Sequence, residues 1–72
     1  MSVQAVAIVI HEGVQALDVA GPVDVFTEAN TYLDGAERYE IVLVAADRAP
    51  LRASNGMRMM ADLTFEEGLG GF

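Results

Sequence analysis

Seventy-two residues make at most one small domain, close to the smallest size that folds without disulfides or metals. Apolar side chains are 53% of the chain, which excludes a disordered segment, and the lack of cysteine excludes a disulfide framework or a cysteine-based metal site. Eleven acids against four arginines and no lysine leave a net charge of −7, a surface that repels phosphate backbones and argues against direct DNA or RNA contact.

In chain order, the first apolar run is Val3 to Ile10, VQAVAIVI. It lacks a basic lead-in and stops at His11-Glu12-Gly13, too soon for a signal peptide or a membrane span. Apolar residues on both parities predict a strand covered on both faces, as inside a parallel sheet. Tyr39 to Ala45, YEIVLVA, carries the same pattern. One helical segment lies between them, so residues 3–45 are expected to form a β-α-β unit with a right-handed crossover.

The helix is expected from about Pro22 to Leu33, because proline suits a first helical position. Val19, Val23, Phe26, Asn30 and Leu33 fall on one face, and Asp24, Thr27, Glu28 and Thr31 on the other. Asp34-Gly35 is the expected stop. Further on, Leu51–Ser54 and Met57–Met60 flank Asn55-Gly56, a two-residue hairpin signal. Thr64 and Glu67 have capping-box spacing and predict a short helix, with GLGG at 68–71 read as loop. Two strands, one helix and a hairpin cannot cover both faces of so apolar a sheet. Residues 1–72 are therefore expected to be the N-terminal portion of one larger domain.

Three residues are candidates for chemistry. His11 falls at the carboxyl end of the first strand, where open α/β sheets place ligands; its bland reading is a partly exposed loop-edge histidine. Glu12 and Asp18 belong to the same βα connection. Asp18 sits among apolar residues just before a Gly-Pro break, in LDVAGPVDVF. It is either a helix cap or a carboxylate turned into a crevice, where burial would raise its pKa. No G-x-G-x-x-G follows the first strand, no phosphate-loop motif occurs, and no ligand spacing suggests a metal, so neither cofactor nor metal is expected.

Flanked by VAIVIHEGVQ before and by YEIVLVA and LRASNGMRMMADLTFEE after, LDVAGPVDVF resembles the start of the DJ-1/PfpI superfamily. The chain is most similar to the amidase-like (class I glutamine amidotransferase-like) N-terminal domain of bacterial AraC-type transcriptional regulators. The isonitrile hydratase group shares the pattern LD-x-x-GP-x-x-VF. The resemblance implies a flavodoxin-like three-layer α/β sandwich with a parallel sheet, commonly a homodimer. It also implies a cytoplasmic protein that takes a small-molecule ligand and reaches DNA only through a C-terminal helix-turn-helix module. In the enzymes of the superfamily a cysteine nucleophile pairs with an acid from the first βα loop, and Asp18 matches that acid. The resemblance thus turns Asp18 toward the site reading, with His11 and Glu12 as weaker ligand-binding candidates. The nucleophile itself would lie beyond residue 72. Two functions follow: the sensing and dimerisation domain of a regulator, or a cysteine-dependent hydratase or amidase.

Overall fold

A computed structural model describes residues 4–33 and 38–68. Strand β1, Gln4–Val9, pairs in parallel with β2, Tyr39–Ala45, in a register that sets Gln4 against Tyr39 and Val9 against Val44. The expected parallel pair is therefore present. A third strand, β5 (Leu63–Thr64), adds in parallel to the other edge of β2, giving the order β1-β2-β5. Between β2 and β5 lies a separate two-stranded hairpin, β3 (Leu51–Arg52) and β4 (Arg58–Met59). The architecture is α/β, with a three-stranded parallel sheet and one long helix.

That helix, α1, runs from Ala16 to Asn30, so it starts six residues before the position expected from Pro22. Ala16 and Leu17 tolerate helix well, and Val19 and Ala16 pack on the core, so the first turn forms ahead of the proline. Pro22 then lies inside the helix, where its missing N–H leaves the Asp18 carbonyl without an intrahelical partner. The expected faces hold. Val19 is buried, and Val23, Phe26 and Asn30 are half-buried, while Asp24, Thr27 and Glu28 are exposed. The Asp34-Gly35 stop and residues 69–71 of the GLGG loop lie outside the described residues.

Near its end the helix is clipped to the sheet. The Asn30 side chain donates to the Tyr39 carbonyl at 2.9 Å and accepts from the Tyr39 amide at 2.7 Å. Phe26 packs edge-on against the Tyr39 ring, with centroids 4.9 Å apart. Asn30 thus occupies the apolar face for a reason: its amide mimics a strand partner for the first residue of β2.

The core gathers where five segments meet. Ile10 from the end of β1, Val14 from the connection, Val19 from α1, Ala45 from β2 and Leu51 and Ala53 from the hairpin form one buried cluster with Ala61. Ile8, Leu43 and Met59 pack against it. Val9, one residue along β1 and so on the opposite face, is 54% exposed.

The hairpin turns where expected but not as a two-residue loop. The Gly56 amide donates to the Ala53 carbonyl, and the Ala53 amide to the Met57 carbonyl. Only Gly56 has a positive φ, +89°, and Asn55 does not. The loop is therefore three residues, Ser54-Asn55-Gly56, a turn closed by glycine at the left-handed bulge position. The Asn55 side chain accepts from the Met57 amide at 3.0 Å and shapes the exit.

The capping box is present in full. The Glu67 carboxylate accepts from the Thr64 amide at 2.9 Å, and the Thr64 hydroxyl accepts from the Glu67 amide at 3.2 Å, opening α2 (Phe65–Gly68). Thr64 doubles as the last residue of β5, a strand too short for periodicity to show. Glu67 also holds Arg48 through both carboxylate oxygens, at 2.7 and 2.8 Å. The Arg48 hydrogen bonds, helped by the Thr64 amide, pull the Glu67 pKa from 4.5 down to about 2. A carboxylate more acidic in the folded state stabilises the fold above pH 4.5, and that contribution disappears as pH falls toward 2. Acid titrations of melting temperature should show wild type losing stability between these pH values faster than Glu67→Gln. Parallel curves would separate Glu67 from the acid limb.

Candidate functional site

The carboxyl ends of β1 and β2 open onto a depression of about 340 Å³. Its lining includes Ile10, His11 and Glu12 from the end of β1, Asp47 after β2, Leu51 from the hairpin and Phe65 from α2. Two features of the sequence put it there. The parallel β1–β2 pair sends both carboxyl ends the same way, and the connection after β1 turns sharply at Glu12-Gly13. The Val14 amide donates to the His11 carbonyl at 3.0 Å, and Gly13 sits at φ +84°, a left-handed conformation at the third position of the turn.

Within that turn, His11 Nδ1 lies 3.0 Å from the Glu12 carbonyl oxygen. A carbonyl only accepts, so this bond puts a proton on Nδ1 and leaves Nε2 of the neutral ring as an acceptor. Glu12 is tied by one oxygen, which accepts from the Arg52 amide at 3.1 Å, while the Gly13 amide donates to the Arg52 carbonyl at 2.8 Å. The turn is thereby fastened to the hairpin. Asp47 accepts from the Ala49 amide at 2.8 Å, the local loop closure common for aspartate. Each carboxylate keeps a second oxygen for a ligand.

The structure brings His11 and Glu12 together on this depression, and Asp18 is not among its lining residues. Asp18 belongs to the first turn of α1 rather than to a loop, and it is exposed. Its amide donates to the Gln15 carbonyl at 3.0 Å, and the N-cap Gln15 contributes no side-chain capping bond. None of the hydrogen bonds among the described residues engages the Asp18 carboxylate, which is placed where a negative charge suits the helix dipole. Sequence reasoning missed Asp47, Leu51 and Phe65. Asp47 could have been found from its place just past the carboxyl end of an apolar strand. Phe65 could not, because its contribution depends on β5 docking α2 beside β2.

Among the described residues no helix is long and apolar enough to cross a membrane, and no three His, Asp or Glu side chains cluster as a metal set. No family model matches the chain. Over 57 residues, 79% of its length, the chain is 42% identical to a Streptomyces lividans protein described as an uncharacterized protein in the cpoL 5′ region, and the match spans 38% of that protein.

Proposed function

We propose that this chain is the opening portion of a DJ-1/PfpI-like, flavodoxin-like domain that senses a small molecule and dimerises within a cytoplasmic AraC-type regulator. DNA binding then belongs to a helix-turn-helix module elsewhere in the full protein. The observation that carries this reading is the depression at the carboxyl ends of a parallel β-α-β unit, edged by His11 and Glu12. The net charge of −7 supports the same division of labour.

A second reading, a cysteine-dependent hydratase or amidase, is favoured by one observation. Asp18 is exposed and its carboxylate takes part in none of the hydrogen bonds of the described residues. It is thus available to a thiolate supplied by another part of the protein. Its carboxyl group would hydrogen-bond that sulfur and orient it for attack.

Asp18→Asn in the full-length protein tests both. The variant keeps a hydrogen-bond donor and loses the exchangeable proton. A regulator should keep its affinity for the DNA upstream of its own gene and its melting temperature, and change its transcriptional response. An enzyme should hydrate a small alkyl isonitrile, with turnover falling about a hundredfold or more in the variant. Loss of melting temperature with unchanged response and no turnover would leave Asp18 as a dipole-complementing helix residue and sink both roles for it.

A further inference from the structure

Arg52 and Arg58 stand directly opposite each other across the β3–β4 hairpin. Their cross-strand neighbours set the geometry. Ala53 and Met57 are joined by a backbone hydrogen bond, so the next pair along, Arg52 and Arg58, is the one that exchanges none. The Arg52 backbone agrees: its amide donates to Glu12 and its carbonyl accepts from Gly13, both on the side away from β4. Side chains at such a position are the closest of any cross-strand pair, with Cβ atoms roughly 4.5–5.5 Å apart. Leu51 and Ala53 point into the core, so Arg52 and Arg58 both project to solvent, and both are exposed.

Like charges in that position destabilise a hairpin. The chain has only four basic residues against eleven acids, yet it stacks two of them here. Arg48 is committed to Glu67; among the described residues neither Arg52 nor Arg58 is in an ion pair. The Arg52 guanidinium makes one long contact, 3.5 Å to the Gly56 carbonyl, which leaves most of its donors open. Glu12 reaches the Arg52 amide, not its guanidinium.

We propose that Arg52 and Arg58 form a pincer that binds the phosphate group of a small molecule. Two guanidinium forks carried by cross-strand neighbours have a charge of +2 and more donors than one planar carboxylate accepts. A phosphate monoester, with three terminal oxygens and a charge close to −2, satisfies both forks and cancels the repulsion between them. The pincer lies on the outer face of the hairpin and does not depend on the sensor or enzyme reading.

Calorimetric titration of the full chain with inorganic phosphate, at constant ionic strength and with acetate as control, tests it. Saturable phosphate binding is expected, with acetate much weaker. Arg52→Gln and Arg58→Gln should each weaken phosphate about tenfold or more. In phosphate-free buffer Arg58→Gln should melt at or above the wild-type temperature, because a cross-strand pair of like charges is gone. Where a glutamine variant misfolds, Arg58→Lys keeps the charge and loses the fork: weakened phosphate binding supports the pincer, and unchanged binding overturns it. Absence of saturable binding, equal binding by acetate, or full binding by the glutamine variants would also overturn it.

Discussion

Ile10→Ala is expected to destabilise the protein by about 2–5 kcal/mol, the range for emptying a buried aliphatic site. Ile10 is 1% exposed, the most completely buried large side chain of the described residues. Its position explains the size of the effect. Ile10 follows the last residue of β1, its amide donates to the Val44 carbonyl at 2.9 Å, and its side chain meets the connection, α1, β2 and the hairpin. Those segments are tied to one another by backbone bonds, Gly13 to Arg52 and Ser54 to Val14 among them, so they cannot close over the lost methyls. Ile10→Val should cost only about 0.5–1.5 kcal/mol. Denaturant melts of both variants in the full chain check the ratio, and equal, small losses would show that the core does not converge on Ile10. Ile10 also lines the depression, so on the sensing reading the transcriptional response should weaken with Ile10→Ala even at temperatures where the variant stays folded.

Pro22→Ala should act in the opposite direction, raising stability by about 2 kcal/mol. A proline inside a helix costs about 3 kcal/mol through the missing amide and its ring's clash with the carbonyl four residues back. Relaxing the unfolded chain returns up to about 1 kcal/mol of that. Here the orphaned acceptor is the Asp18 carbonyl, in an exposed turn where water reaches it. Alanine would supply the amide that pairs with that carbonyl. A destabilised Pro22→Ala, by thermal melt, would mean that the proline ring itself is needed for packing. On the reading of Asp18 as a site residue, the same variant should also blunt ligand response, since the missing proline amide leaves the Asp18 carbonyl without an intrahelical partner. Stability given up at that turn is the expected mark of a functional position.

Several elements were legible in the sequence because their causes are local. The strands β1 and β2 are marked by short, β-branched apolar runs, the polar side of α1 by its 3.6-residue period, and the capping box by the fixed spacing of Thr64 and Glu67. Asn55-Gly56 marked the hairpin, since glycine alone tolerates the positive φ that closes it. What stayed hidden depends on long-range contacts. Pro22 signals a helix start by propensity, yet Val19 and Ala16 have core to bury against, and that packing extends α1 to Ala16 over the proline's cost. β5 has two residues and no period; it is a strand only because β2 offers an unpaired edge and Asp62 extends the pairing, its amide donating to the Leu43 carbonyl at 2.8 Å and its carboxylate accepting from the Leu43 amide at 2.8 Å. The site divides in the same way. His11 and Glu12 were readable from their place after a strand. The addition of Asp47 and Phe65, the exposure of Asp18 on a helical turn, and the meeting of Arg52 with Arg58 came from register and docking, which couple residues too far apart in the chain for any local pattern to record.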